Sequence, residues 1–279
     1  MTTTTTYIAH GSGLSFRGLL LSEWIKLTSL RSTVWCYGII LIINLGLAFL
    51  LSSVVPAPKD GTPVLNQAFW AQFATIGTAF SQLVIAVLGA LVITGEYGTG
   101  MIRSTFAAVP KRLPALLAKA VVFGVSTFVI SLVTLAGSAL IAAPLLNAKG
   151  MNLDFGDGRV WLAVLGAAGF MTLVGLMALF LGTIIRNSAG GISAAIGLLF
   201  VAPIIMQIFV SITRSPWAQN ILEFLPSTAG QRMSTYAIGS LPQIKDVVIL
   251  DAGLGLLVLA AWVSLFGIIA GVLLKRRDV

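Results

Sequence analysis

The chain has 279 residues, of which 57% are hydrophobic and only 9% charged. A soluble domain carries about 25% charged residues, so this composition excludes an ordinary globular domain and points to an integral membrane protein. The formal net charge of +8 fits basic loops beside a bilayer better than nucleic-acid binding, which is not expected. One cysteine (Cys36) and one histidine (His10) exclude an internal disulfide. They leave no set for a zinc site or a Cys/His pair within one chain, and no metal is expected.

In chain order, residues 1–13 are low in complexity (Thr2 to Thr6, then Gly11-Ser12-Gly13) and read as a disordered tail. They do not read as a signal peptide, because the first apolar run starts only at Val34 and is too long for an h-region. Residues 14–33 follow. On a helical wheel Phe16, Leu19, Leu20, Trp24, Leu27 and Leu30 share one arc, opposite Gly18, Ser22, Lys26 and Ser29. This predicts an amphipathic interfacial helix, although Glu23 and Arg31 intrude on the apolar arc. A plain extension of the first span is the alternative.

Six apolar runs come next, within a predicted transmembrane domain over 34–279. They are Val34–Val55, Phe73–Ile93, Leu116–Leu140, Val160–Ile185, Ala189–Ile212 and Gly253–Leu274. Each reaches the ~20 residues that cross a bilayer core, and only helices satisfy their own backbone in single runs. The expected fold is an all-α integral membrane protein with six transmembrane helices. With the N-terminus inside, eleven Lys and Arg fall on the inner side and six on the outer, where six carboxylates balance them. The positive-inside rule therefore puts both termini in the cytoplasm of a multi-pass cell-membrane protein.

The stretch from Gly95 to Arg112 is unlike lipid-facing sequence. Glu96 ends the second run on the inner side. Thr99 is placed to N-cap a short helix from Met101 to Val109, and Pro110 stops it. Pro114 suits the first turn of the third span. Residues 95–114 thus read as a cytoplasmic loop helix, or equally as a solvated basic loop. On the outer side, 213–252 is a long connection with apolar clusters, expected to hold one or two short helices dipping into the outer leaflet. Arg186-Asn187-Ser188 is almost the whole link between spans four and five, which predicts a tight antiparallel pair. Pro203 predicts a kink in span five. Gly267-x-x-x-Gly271 predicts close packing of the last span.

Little catalytic chemistry is visible. No charged residue lies at mid-depth in a span, and Lys119 is expected to snorkel to the inner surface. Asn44, Gln82 and Gln207 are neutral candidates for lining a path, with interhelical hydrogen bonding the plainer role. Asp154-Phe155-Gly156-Asp157-Gly158-Arg159 reads as a turn. No P-loop sequence is present. Work against a gradient would need an outside source of energy.

Three motifs carry a resemblance. Ser22-Glu23-Trp24-x-Lys26-Leu27-x-Ser29-x-Arg31-Ser32 resembles the N-terminal signature of bacterial type-2 ABC transporter permeases. Glu96-Tyr97-Gly98-Thr99-Gly100, then Pro110-Lys111-Arg112 and Lys119, is similar to that family's loop between spans two and three. Leu225-Pro226-Ser227-x-Ala229-Gly230-Gln231 resembles its segment before the last span. Gly98 stands where many members have Arg. The resemblance covers about residues 14–277. It implies a permease subunit of an ATP-driven exporter, paired as a homodimer and seated on a separate ATP-binding cassette subunit. That partner would bind ATP and Mg, and this chain would bind no cofactor. Contact with the ATPase would involve Glu23 and Lys26 before the first span, and Glu96, Gly98, Thr99, Gly100, Met101, Ile102, Arg103, Ser104 and Phe106 in the loop. A hydrophobic or amphipathic cargo is favoured. An energy-independent channel or scaffold subunit is the alternative, and an enzyme centred on Asp154 or Asp157 a more distant one.

Overall fold

The computed structural model describes residues 15–56, 62–239 and 245–276. The N-terminal tail (1–13) lies outside the described residues, as does part of the 213–252 connection. The described residues form α-helices and one π segment, with no strand. In chain order the helices are α1 (Phe16–Ser29), α2 (Arg31–Val54), α3 (Pro63–Thr75), α4 (Thr78–Thr99), α5 (Met101–Ala108) and α6 (Leu113–Asn147). They continue with α7 (Gly158–Ile185), α8 (Ser188–Ile196), the π segment (Gly197–Val201), α9 (Ala202–Thr213), α10 (Pro216–Glu223), α11 (Pro226–Arg232) and α12 (Ala252–Arg276). Six spans are long and apolar enough to cross a bilayer: α2, α3–α4, α6, α7, α8–α9 and α12. The chain is a multi-pass membrane protein.

The spans divide into inner and outer. α3–α4 and α7 each bury 61% of their most apolar stretch and α6 buries 50%, against 17% for α2, 17% for α8–α9 and 22% for α12. Small residues bring the inner helices together. A Cβ on Gly89 of α4 would lie 2.3 Å from the Gly175 carbonyl oxygen of α7, so only glycine permits that approach. In the last span, Gly267 faces Phe180 of α7 and Gly271 faces Leu113 of α6. The small-xxx-small pair therefore packs within the chain.

Two spans are longer than their apolar runs suggested. The second run belongs to a 37-residue unit from Pro63 to Thr99, interrupted by a turn at Ile76-Gly77 between α3 and α4, where both residues keep right-handed helical dihedrals. Asn44 of α2 packs closely on this junction: a Cβ on Gly77 would meet its Oδ1 at 2.3 Å. α6 has 35 residues, about 52 Å of helix, and outreaches a core of about 30 Å. In the fifth span the π segment ends immediately before the helix that carries Pro203 at its start. Proline offers no N–H to the preceding turn and crowds its carbonyl, so the turn widens. The turn between α7 and α8 is as short as expected. Arg186 adopts a left-handed conformation, and Asn187 caps α8 by accepting from the Gly190 amide.

At the end of the bundle opposite α1, short elements are pinned by packing and paired charges. The Trp70 indole N–H donates to the Ala139 carbonyl at 2.8 Å, with Phe155 and Trp161 edge-on to its ring. Arg232 grips Glu223 at 2.6 and 2.9 Å. The Asp154–Arg159 stretch is a turn whose Asp157 caps α7 and accepts from the Tyr236 hydroxyl at 2.5 Å.

Candidate functional site

Four charged side chains meet at the α1 end of the bundle. Glu23 and Lys26 come from α1, Glu96 from the last turn of α4, and Lys119 from the second turn of α6. The Lys119 ammonium donates to Glu23 Oε2 at 2.5 Å and to Glu96 Oε1 at 2.8 Å. The Lys26 ammonium donates to Glu23 Oε1 at 2.8 Å, to Glu96 Oε1 at 3.1 Å and to the Thr105 hydroxyl of α5 at 3.3 Å. Two carboxylates and two ammoniums make a neutral cluster that joins α1, α4, α5 and α6.

Burial makes this cluster consequential. Glu96 is 4% exposed, Lys119 5% and Glu23 6%. An isolated charge at such depth is costly, and reciprocal pairing offsets the loss of water. Burial works to lower the pKa of Lys26, but hydrogen bonding and attraction from Glu23 and Glu96 outweigh it, and the group is held above its ordinary value. Its pairing therefore strengthens the fold at neutral pH and is lost only as pH rises past that elevated value.

Lys119 does not snorkel. It is enclosed because α1 lies over it, and its ammonium finds two carboxylates instead of water. α1 itself turns Glu23 and Leu27 into the protein and leaves Trp24 exposed. Glu23, which seemed to spoil an apolar arc, marks the buried face.

The loop residues occupy several environments. Gly98 and Thr99 belong to the end of α4. Thr99 does not cap α5, because its hydroxyl donates to the Gly95 carbonyl at 2.9 Å. Gly100 makes the corner, at φ 74, and α5 starts with no side-chain cap. A left-handed corner at Gly100 leaves Thr99 one residue too early to reach the α5 amides. Ile102 is buried, while Met101, Arg103 and Ser104 are exposed. Phe106 is half-buried beneath the Arg112 guanidinium, 5.7 Å from its ring centre. Arg112 also donates to the Leu274 carbonyl at 3.2 Å, tying this loop to the end of α12.

The three neutral polar candidates separate. Asn44 and Gln82 are buried in the bundle, and the Asn44 amide donates to the Ile40 carbonyl and the Ser81 hydroxyl, both at 2.8 Å. Gln207 is exposed on α9, a helix with no buried residue. The structure therefore does not gather the three around one path within a single chain.

A groove of about 540 Å³ opens beside the charge cluster, between α1, α4 and α6. Among the described residues no three His, Cys, Asp or Glu side chains assemble into a set that could hold a metal. No family model matches the chain, and no curated protein matches it.

Proposed function

We propose that this chain is the membrane-spanning permease subunit of an ATP-driven exporter, with ATP and Mg bound by a separate ATPase subunit. The observation that carries the reading is the charge cluster. It links α1 and α5, the two elements for which the sequence resemblance implies ATPase contact, to each other and to the inner spans α4 and α6. A push on either short helix would be transmitted to the bundle through a buried, neutral joint. The surface around the joint suits an acidic partner. Glu23 and Glu96 are turned inward, while Arg17, Arg31, Arg103 and Lys111 face outward.

In this reading α1 lies at the cytoplasmic face of the cell membrane and both termini are cytoplasmic. A second copy of the chain completes the path, which suits a hydrophobic or amphipathic cargo. The test is co-purification with an ATP-binding cassette protein. Replacing the exposed Met101 and Arg103 by Asp should abolish the association and leave expression intact. Unchanged assembly and unchanged ATP hydrolysis would refute the reading, and ion conductance from the chain alone would favour a channel.

A further inference from the structure

A second cavity, of about 430 Å³, opens at the end of the bundle opposite the charge cluster. Its volume is within the ordinary range of ligand sites. Two segments distant in sequence form it: the α3–α4 junction, and the end of α11 with the residues that follow. Among the described residues, no charged side chain lines it. The groove at the α1 end differs, because its wall includes Glu23, Lys26, Glu96 and Lys119.

The hydrogen bonds around this cavity set what it can accept. Five of its side chains carry hydroxyls, and each has already committed its proton. Thr75 donates to the Ala71 carbonyl, Thr78 to the Thr75 carbonyl, Ser234 and Thr235 to the Gln231 carbonyl, and Tyr236 to Asp157. What these oxygens have left to offer is lone pairs. The two amides of the wall are different. Gln72 of α3 and Gln231 of α11 are exposed, and among the described residues no hydrogen bond holds either side-chain amide. Each can donate two hydrogens and accept through its oxygen. Ala68, Ile76, Ala79 and Ile238 complete the wall with apolar surface.

The wall thus has a surplus of acceptors, two N–H-bearing amides, apolar patches and no counter-ion. A carboxylate or phosphate would bring no donors to the hydroxyl oxygens. An ammonium would bring nothing for the amides to donate to. Either charge would lose water without gaining an opposite charge. A ring that carries several hydroxyls meets all of these conditions, because each hydroxyl both donates and accepts and the ring keeps a C–H face. We propose that this cavity binds a neutral polyhydroxylated ligand of the size of a monosaccharide or a cyclic polyol. Its hydroxyls donate to the hydroxyl oxygens of the wall and accept from Gln72 and Gln231, and its C–H face lies on Ile76 and Ile238. The site shares no residue with the charge cluster, and the proposal holds whether or not the chain serves an ATPase.

The experiment is saturation-transfer NMR of the full chain in nanodiscs, titrated with glucose, galactose, mannose and myo-inositol. At least one of the four should bind saturably to wild type. Its binding should weaken about tenfold in Gln72→Leu and in Gln231→Leu, the loss of one or two hydrogen bonds. Gln219→Leu, at an exposed position of α10 outside the cavity wall, should bind as wild type does. Glucosamine and glucuronate, each with one charge, should bind no tighter than glucose. No saturable binding of any of the four, binding unaffected by both glutamine variants, or tighter binding of either charged sugar would each overturn the proposal. If the glutamine variants do not fold, the comparison of neutral and charged probes on wild type decides alone.

Discussion

The two ends of the bundle are held by different forces. At the α1 end, four charges from three helices, three of them buried, carry the joint, with Thr105 drawing in a fourth helix. A groove lies beside them, and Glu96 and Lys119 keep unused hydrogen-bonding capacity. At the opposite end, aromatic rings interlock around Trp70, and the charged pairs are local: Arg159 with Asp157 two residues away, Arg232 with Glu223 nine away. Charges from distant segments hold several helices together at the α1 end. Local pairs and packed rings set the shape of one segment at the other. Under the proposed function the α1 end is the mechanical linkage and the other end a fixed cap.

Breaking the joint should have the largest effect. Lys119→Met strands Glu23 and Glu96 as buried carboxylates, with only half-exposed Lys26 between them. The expected cost is about 3–5 kcal/mol, read as a fall in the thermal unfolding midpoint in detergent. A change within experimental error would mean that the cluster is solvated and mechanically idle. Next comes the junction between α3 and α4. Gly77→Ala puts a Cβ 2.3 Å from Asn44 Oδ1, so α2 and α4 must part. The expected loss is about 1–3 kcal/mol, with α1 still docked.

Smaller effects belong to the opposite end. Glu223→Gln weakens a two-bond grip on Arg232 and the bond from the Leu250 amide. A loss of about 1 kcal/mol is expected, visible as faster amide exchange at Leu250 with no change in α1. Acid should act last. Hydrogen bonding from Arg159, chiefly, and from Tyr236 holds Asp157 down at about 2, below its ordinary 3.8. Its contribution is therefore complete above that ordinary value and is lost as pH falls toward 2. The protection of the Arg159 amide, its intrinsic exchange rate divided by the observed rate at each pH, should fall across that window and stay flat above pH 5. Protection lost near neutral pH would show that Asp157 is not the titrating group.

Much of this was legible in the sequence, for physical reasons. A bilayer enforces long apolar runs, so the six spans could be read directly. The short link at Arg186-Asn187-Ser188 separated two apolar runs as read, and Pro203 marked where span five departs from a regular α-helix, as a π segment. What escaped was tertiary. Nothing local to Thr99 reveals that the helix continues through it to a left-handed Gly100. Lys119 read as a snorkelling residue because the sequence does not show α1 closing over it. The sign was present in Glu23, a carboxylate on an otherwise apolar arc, but its meaning depended on a lysine 96 residues away. Gln207 looked equivalent to Asn44 and Gln82 in an apolar run, and only the packing distinguishes Gln207, exposed on α9, from Asn44 and Gln82, buried on α2 and α4.

The linkage is tested most directly by hydrogen–deuterium exchange on the full chain in nanodiscs, comparing wild type with Glu96→Gln. Glu96 lies on neither short helix, yet its loss should raise exchange in α1 and α5 together while α10 and α11 stay unchanged. Faster exchange confined to α4, with α1 and α5 as protected as in wild type, would contradict a shared joint.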